Sequence, residues 1–220
     1  MALACKRSGR NLDSVKLIAV SKTKPIELIQ KAFSLHQMDF GENYAQELLE
    51  KAKALPKAHW HFIGPLQSNK AKVIALHSQM LHTLDRLSLA KKLNSHLEAL
   101  NKTLDCLIQV NINKEPQKAG VAIHDLFEFY QECKAYSQLS IRGLMCIPDS
   151  SLSEKDLRGS FQKMKEALAM LNAKASPKTP LTELSMGMSA DFEIAIEEGA
   201  TLIRVGSLIF GDRPSPGFRN

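Results

Sequence analysis

Lys22 is the residue whose chemical type and position first suggest a chemistry for this chain. It comes shortly after the apolar run 15–20, which has the composition of a buried strand. An amine at the carboxyl end of a core strand points into the region where α/β proteins hold small ligands. A partly desolvated lysine beside a second cation, Lys24, can lose its proton and attack a carbonyl carbon as a Schiff-base former. The alternative is a solvated lysine that opens an ordinary loop between a strand and a helix.

Two glycine-containing loops late in the chain have the pattern of a phosphate site. Gly187 and Ser189 precede a predicted helix, so backbone N–H groups and the helix dipole face outward there. Gly206 and Ser207 follow the next predicted strand and could bring further N–H groups and a hydroxyl to the same place. The loops after the seventh and eighth strands are the usual phosphate position in α/β barrels. The alternative is that both glycines only allow tight turns.

Three further polar side chains end or follow predicted strands and are expected at the same mouth. Asn43 is a candidate for a hydrogen bond to a ligand hydroxyl, or else for a helix N-cap. Arg204 either assists the phosphate or forms a structural ion pair, and Ser185 ends the seventh predicted strand. Glu42 and Asp191 are titratable, but nothing in the sequence pairs them as an acid/base couple. A Schiff-base lysine that faces a phosphate site across the mouth predicts pyridoxal phosphate as the cofactor.

The elements that must position these residues alternate between short apolar runs and amphipathic stretches. Such alternation predicts parallel strands joined by helical crossovers. The predicted strands are Val15–Val20, Met38–Phe40, His59–Phe62, Met80–Thr83, Leu104–Val110, Ile141–Met145, Thr182–Ser185 and Leu202–Val205. The predicted helices are Ile26–Leu35, Ala45–Leu55, Ala71–His77, Leu87–Leu100, Ile123–Tyr136, Glu154–Leu171 and Phe192–Glu198.

Two architectures fit this order of elements, a closed eightfold barrel and an open doubly wound sheet. Eight strands, and the lack of a G-x-G-x-x-G turn after the first of them, favour the barrel. We therefore predict an α/β protein with one (β/α)8 TIM-barrel domain over residues 1–220. Residues 173–180 are predicted to form a long surface loop, and residues 212–220 a loosely ordered tail.

The composition argues against several other classes of protein. The chain is 44% hydrophobic and 24% charged, without an apolar run that could span a bilayer and without a signal-peptide core, so we expect a cytoplasmic protein. The four cysteines lack disulfide or zinc-site spacing, and His59 and His61 have no third ligand nearby, so no metal is expected. The net charge of +6 suits an anionic small molecule, because the lysines form no run with interleaved aromatic residues of the kind that binds nucleic acid.

Six segments resemble the pyridoxal phosphate homeostasis proteins, also called the proline synthetase co-transcribed family. They are AVSKTKP at 19–25, FGENYAQE at 40–47, WHFIGPLQSNK at 60–70, GLM at 143–145, SMGMSADFEIAIEEGAT at 185–201 and RVGSLIFG at 204–211. The resemblance runs in order from about Arg10 to Gly211, and the motifs at the first and seventh strands are its most specific parts.

The resemblance implies the fold of the alanine racemase N-terminal domain, with pyridoxal phosphate held on Lys22 as an internal aldimine. Carried over to this sequence, it implies phosphate contacts from Ser189, Gly206 and Ser207, with Asn43, Ser185, Met186 and Arg204 around the pocket. Members of that family usually carry a longer N-terminal helix before the segment that matches residues 4–10, and in this chain that helix is expected to be short or missing. The way the barrel closes at that end is therefore expected to depart from the family pattern.

The resemblance further implies a role in vitamin B6 and amino-acid homeostasis, with no established enzyme activity. Racemisation or decarboxylation of amino acids needs an acid/base partner, usually from a second domain or subunit, and a charged group that tunes the pyridine nitrogen. This chain offers no length for a second domain, and Ser185 would be neutral at that nitrogen. We therefore expect a carrier or regulator and no catalytic residue, with a pyridoxal-phosphate-dependent racemase or decarboxylase as the alternative.

The expected partners follow from that interpretation. They are pyridoxal phosphate and the apo-enzymes that would receive it, with neither nucleic acid nor membrane among them. The chain is expected to be a monomer or a weak dimer. A phosphosugar aldolase would also use a Schiff-base lysine on a barrel, but it fits neither the strand-one position of Lys22 nor the six segments.

Overall fold

Eight parallel strands close into a barrel in the order in which they occur along the chain. A computed structural model describes residues 1–113 and 119–211, so the predicted tail at 212–220 lies outside the described residues. The strands are β1 (Lys16–Val20), β2 (Asp39–Glu42), β3 (His59–Phe62), β4 (Met80–Leu84), β5 (Leu104–Gln109), β6 (Leu139–Met145), β7 (Glu183–Ser185) and β8 (Leu202–Val205). Pairing of β8 with β1 closes the barrel.

Helices connect the carboxyl end of each strand to the amino end of the next, and one further helix precedes the first strand and another follows the last. They are α1 (Ala2–Arg7), α2 (Ile26–Ser34), α3 (Ala45–Ala54), α4 (Ala71–His77), α5 (Leu87–Ala99), α6 (Leu126–Cys133), α7 (Glu154–Ala175), α8 (Phe192–Glu197) and α9 (Ser207–Phe210). Short 3-10 turns lie at Leu12–Ser14, Ser68–Lys70 and Ile123–Asp125. Of the helices within residues 1–113 and 119–211, none combines the length and the apolar character needed to traverse a bilayer.

The barrel predicted from the alternation of elements is confirmed, and the predicted strand ends lie within two residues of the observed ones. The predicted surface loop at 173–180 is wrong at its start, because α7 continues to Ala175. The apolar spacing of that helix ends at Leu171, but alanine and lysine are strong helix formers and extend it by one turn. Ser176, with φ of 42°, then ends the helix in the left-handed conformation.

The first and last helices, α1 and α9, were not predicted. Helix α1 lies against α8, where Arg7 pairs with Glu193 at 2.5 Å and with Glu197 at 2.6 Å. Arg10 donates hydrogen bonds to the carbonyl oxygens of Ile196 (2.8 Å) and Ala200 (2.7 Å), just before β8. These contacts anchor the short N-terminal segment at the amino end of the barrel.

Buried side chains form two layers on the two faces of the strands. Outward-pointing strand residues pack under the helices in one large cluster, which we call the apolar shell and which includes Phe40, Phe62, Leu93 and Phe161. Inside the barrel, a small apolar cluster consists of Ile18, Leu107, Met145 and Leu202. The buried polar residues include His61, His82, Ser185 and Arg204, which join one another by hydrogen bonds across the interior.

Candidate functional site

A cavity of about 290 Å³ opens at the carboxyl end of the barrel. This volume is close to the lower limit for small-molecule sites, about 300 Å³. Six of the residues singled out from the sequence line it, namely Lys22, Asn43, Ser189, Arg204, Gly206 and Ser207. The other described lining residues are Val20, Lys24, Ile63, Ile147, Met188 and Gly211. The barrel therefore gathers at one place residues that are up to 191 positions apart in the chain, from Val20 to Gly211.

Lys22 lies in a tight turn directly after β1. The N–H of Lys24 donates to the carbonyl oxygen of Ser21 at 3.1 Å, which closes the turn. Thr23 has φ of 61°, a left-handed conformation that costs a non-glycine residue about 1–3 kcal/mol. The Glu47 carboxylate accepts a hydrogen bond from the Thr23 N–H at 2.7 Å and holds this conformation. The half-buried Lys22 therefore extends from a backbone whose shape is fixed.

Lys51 of α3 fixes the same turn from the helix side. Its ammonium donates to the Ser21 carbonyl oxygen, to Glu42 Oε1 and to Glu47 Oε2, each at 2.8 Å. Ser21 Oγ also donates to Glu42 Oε1, at 2.6 Å. Burial raises the pKa of the Glu42 carboxyl, and the neighbouring Lys51 charge opposes that rise. Lys51, nine residues away in the chain, is thus the charge partner of Glu42 that the sequence did not reveal.

The loops after β7 and β8 meet at the cavity. The Gly206 N–H donates to Ser189 Oγ at 3.3 Å, and the Arg204 N–H donates to the Gly187 carbonyl oxygen at 2.9 Å. Gly187 has φ of 92°, and a Cβ there would lie 2.5 Å from the Cβ of Ala195, so the turn requires glycine. This wall of the cavity presents N–H and O–H groups of the kind that bind an anion.

The sequence analysis placed Lys22 across the barrel mouth from these loops, and that placement is wrong. Strands β1 and β8 are hydrogen-bonded neighbours. A Cβ on Gly206 would lie only 3.1 Å from the carbonyl oxygen of Val20. Closure of the barrel brings the first and last strands together, so Lys22 and the Gly206 loop lie side by side at the cavity.

Arg204 enters the cavity from β8 and is only 4% exposed. Its Nη1 donates to Ser185 Oγ at 2.7 Å, and its Nη2 donates to the Cys146 carbonyl oxygen at 2.9 Å. Within residues 1–113 and 119–211, no carboxylate lies within 4.0 Å of the guanidinium, so those residues give it no structural ion pair. Burial lowers the pKa of Arg204, but a guanidinium remains cationic at neutral pH.

Ser185 and Met186 are not among the described residues that line the cavity. Successive residues of a strand point to opposite faces, so only one of the two can face the barrel interior. Ser185 takes the inner face and contacts Arg204, whereas Met186 is fully buried in the apolar shell. Ser185 therefore reaches the cavity only through Arg204.

Asn43 brings an unsatisfied hydrogen-bond acceptor to the cavity. Its Oδ1 atom is buried and has no hydrogen-bond partner among the described residues. The helix-cap alternative does not apply, because Tyr44 is the N-cap of α3 and no side chain caps that end. A buried acceptor without a partner costs about 1–3 kcal/mol, which a donor group on a ligand would offset.

Sequence reasoning missed the apolar walls and the histidines behind the cavity. Ile63 and Ile147 follow β3 and β6, at strand ends where the sequence analysis looked for polar residues. His82 lies behind Ser185, with Nδ1 at 2.8 Å from Ser185 Oγ, and the alternation of β4 could have placed it inside the barrel. In the part of the chain that the structure describes, no group of three or more His, Cys, Asp or Glu side chains is arranged to hold a metal ion.

Comparison with known proteins decides the family. The profile of the alanine racemase N-terminal domain family matches residues 5–214. The pyridoxal phosphate homeostasis protein of Haemophilus influenzae is 40% identical over 214 residues, covering 96% of this chain and 90% of that protein. The chain belongs to the pyridoxal phosphate homeostasis protein family.

Two solved structures extend the similarity to three dimensions. PipY of Synechococcus elongatus without PLP has a TM-score of 0.87 and 39% identity, covering 95% of this chain and 98% of that chain. PipY with PLP bound has a TM-score of 0.84 and 38% identity over the same shares of the two chains. The family resemblance read from the six sequence segments is thereby confirmed, and so is the alanine-racemase-type barrel fold.

Proposed function

We propose that this chain binds pyridoxal phosphate in the cavity, with Lys22 joined covalently to its aldehyde carbon. We propose further that it acts as a carrier or regulator of the cofactor in intracellular vitamin B6 and amino-acid homeostasis. The observation that carries the proposal is the convergence of the Lys22 amine, the hydrogen-bond donors of the β7 and β8 loops and the orphaned Asn43 Oδ1 on one cavity. The family's name and the PipY structure with PLP bound support the choice of cofactor.

The Lys22 amine suits a reversible covalent bond. Condensation of a primary amine with an aldehyde forms a C=N bond and releases water, and hydrolysis reverses the reaction. The turn held by Thr23, Glu47 and Lys51 fixes the backbone of Lys22, so little backbone entropy is lost when the side chain binds.

The remaining lining residues fit the other groups of the cofactor. Ser189, Gly206 and Ser207 offer O–H and N–H donors for the phosphate, next to the cations Lys24 and Arg204. Asn43 Oδ1 can accept a hydrogen bond from the ring hydroxyl, which would satisfy this buried atom. The apolar side chains of Ile63 and Ile147 offer contact surface to the ring.

The titratable groups around the cavity favour a carrier over a catalyst. Three of the described lining residues are titratable, namely Lys22, Lys24 and Arg204. Lys24 donates to the Gly211 carbonyl oxygen at 2.9 Å. Racemisation needs a second acid/base group placed to deliver a proton to the opposite face of the substrate carbon. The described lining residues of the cavity include no carboxylate, tyrosine, histidine or cysteine that could deliver this proton.

Borohydride reduction tests the covalent assignment. Purified protein incubated with pyridoxal phosphate should be yellow, and reduction should fix a pyridoxyl group on the peptide that contains Lys22. The Lys22→Ala variant should lose the label, whereas Lys31→Ala, which changes an exposed lysine of α2, should keep it. Label found only on another lysine would contradict the assignment.

Comparison of two ligands tests the phosphate site. Changing Gly206 and Ser207 together to alanine and glycine removes a hydroxyl and crowds Val20, so it should weaken pyridoxal phosphate binding about tenfold or more. Binding of pyridoxal, which lacks the phosphate, should change far less. Equal losses for the two ligands would argue against a phosphate at these loops.

Deuterium exchange tests the carrier assignment. The protein loaded with cofactor should exchange the α-hydrogen of amino acids in heavy water only at the rate of free pyridoxal phosphate. Exchange at a rate typical of enzymes, about 1 per second or faster, would overturn the carrier proposal in favour of a racemase-type catalyst.

A further inference from the structure

A line of five side chains crosses the inside of the barrel from Asp39, at the start of β2, to Arg204 at the cavity. Asp39 Oδ1 lies 3.0 Å from His61 Nε2, and His61 Nδ1 lies 2.9 Å from His82 Nε2. His82 Nδ1 lies 2.8 Å from Ser185 Oγ, which accepts from Arg204 Nη1 at 2.7 Å. Bulky apolar residues dominate the interior of most such barrels. We call these five residues the interior relay.

The chemistry of the two ends determines the direction of every hydrogen bond between them. A guanidinium can only donate and a carboxylate can only accept, while a neutral imidazole donates from one nitrogen and accepts at the other. His61 must then donate from Nε2 to Asp39 and accept at Nδ1 from His82. His82 in turn accepts at Nδ1 from the Ser185 hydroxyl, which itself accepts from Arg204. With neutral histidines the relay therefore has one arrangement, in which each group donates toward Asp39.

This arrangement links a buried positive charge to a distant negative one. Among the described residues, Arg204 has no carboxylate within ion-pair distance, and Asp191 acts on it only through space. Burying an unpaired charge is strongly unfavourable unless neighbouring dipoles compensate it. The three neutral groups between Arg204 and Asp39 are aligned dipoles that polarise one another, so each hydrogen bond is stronger than it would be alone.

We propose that the interior relay is a positioning device for the cofactor site, in which Asp39, His61, His82 and Ser185 hold the Arg204 guanidinium in one orientation at the cavity. This inference rests on the proposed function, because it assigns to Arg204 a contact with bound pyridoxal phosphate. Asp39 would thereby affect cofactor affinity from the opposite end of the barrel without touching the ligand. Lys16 and His59, which lie 3.5 Å and 3.4 Å from Asp39 Oδ1, share its carboxylate at that end.

Acid would break the relay from within. A protonated His82 carries an N–H on both nitrogens, so the Ser185 hydroxyl could no longer donate to it. The charged and titratable groups around the two histidines are Asp39, Lys16 and His59 at one end and Arg204 at the other. Burial lowers the pKa of both histidines, and the nearby His61 and Arg204 lower that of His82 further. The relay is therefore intact at neutral pH.

Nitrogen-15 NMR of histidine-labelled protein without added cofactor tests the direction of the relay. At neutral pH both rings should carry hydrogen on Nε2 and none on Nδ1, with the His82 signals assigned from their loss in His82→Gln. Hydrogen on Nδ1 of either ring, or a charged ring, would overturn the arrangement. This measurement decides the relay's direction whether or not the chain binds pyridoxal phosphate.

Paired aspartate variants test the link to the cofactor. Asp39→Asn removes the charge but keeps an acceptor oxygen, and we expect about tenfold weaker pyridoxal phosphate binding and a shifted absorption band of the bound cofactor. Asp105→Asn removes a like charge at the same end of the barrel, on β5, and should change neither. Asp39→Glu, which keeps the charge, should recover part of the affinity.

The outcomes separate the two proposals. If wild-type protein fails to bind pyridoxal phosphate, the proposed function fails, and the NMR result still decides the relay. If wild type binds and Asp39→Asn matches Asp105→Asn in affinity and absorption, the positioning role is overturned while the proposed function stands. Circular dichroism and thermal melting of each variant exclude unfolding as the cause of a loss. Should Asp39→Asn fail to fold, the same comparison is made with Ser185→Ala, which removes only a hydroxyl.

Discussion

The two faces of the barrel strands differ in polarity, because the outer face is apolar and the inner face carries buried polar groups beside a small apolar cluster. Residues that point toward the helices, such as Phe40 and Phe62, are apolar and belong to one continuous cluster. Residues that point inward include His61, His82 and Arg204, and all three are buried. On the outer face each buried Å² of apolar surface contributes about 25 cal/mol, whereas on the inner face each polar group is costly unless it finds a partner.

This difference indicates which face supports which property. The apolar shell stabilises the barrel and tolerates changes that keep volume and hydrophobicity. The interior relay ends on Arg204, which lines the cavity. The charge cluster of Lys51, Glu42 and Glu47 holds the turn that carries Lys22, which also lines the cavity. Variants in the shell should therefore alter stability alone, and variants in the polar groups should alter ligand binding or pH dependence as well.

The largest effect is expected at Lys51. Lys51→Met leaves Glu42 buried without its charge partner, so the free energy of unfolding should fall by about 3–5 kcal/mol. The turn that carries Lys22 also loses a hydrogen bond, so pyridoxal phosphate binding should weaken. Urea unfolding and cofactor titration measure the two effects. The double variant Glu42→Gln with Lys51→Met should recover part of the stability, and a single variant as stable as wild type would contradict the expectation.

A change in the apolar shell should cost stability without touching the site. Leu93 of α5 is fully buried, and Leu93→Ala should lower the free energy of unfolding by about 2–5 kcal/mol through lost burial and a cavity. Cofactor affinity and absorption, measured well below the melting temperature, should equal those of wild type. Weaker binding in this variant, with Leu93→Met as the volume-conserving control, would show that the two faces are not separable.

The smallest effect is a pH dependence that comes from the interior histidines. Burial lowers the pKa of His61 and His82 in the folded chain, so the unfolded chain binds more protons at mildly acidic pH. The free energy of unfolding should therefore fall as pH drops below about 6.5, by at most about 1.4 kcal/mol per pH unit for each histidine. Urea titrations over this range measure the slope.

Two histidine variants locate the source of that slope. His82→Gln should flatten it, because one of the buried imidazoles is gone. His124→Gln, which changes an exposed histidine of the 3-10 turn before α6, should leave it unchanged. Parallel slopes in His82→Gln and wild type would place the pH dependence outside the barrel interior.

The fold was predictable because its signals are local. Each strand and helix shows its own period in a short stretch of sequence, and β3 and β8 were predicted with the bounds that the structure has. The cavity residues were predictable for a related reason, since any residue that follows a strand of a barrel lies at the carboxyl-end mouth. Five positions that follow a strand, and Arg204 near the end of β8, line the cavity as predicted.

The charge partners were not predictable, because they depend on which strands and helices lie side by side. His61 and His82 meet only through the register of β3 against β4, where His61 pairs with Met80 and Phe62 with Leu81. The sequence analysis tested His59 and His61 for a metal and had no means to find a partner 21 residues away. Lys51 reaches Glu42 by the packing of α3 against β2, which no periodicity encodes.

The pairing of β1 with β8 has a consequence for when the cavity forms during synthesis of the chain. Lys22 leaves the ribosome 184 residues before Gly206. The cavity is therefore incomplete until β8 has been synthesised and has docked beside β1. A ligand that contacts both strands binds only the closed barrel and stabilises it by mass action. The concentration of such a ligand in the cell would set how firmly the two ends of the barrel stay joined.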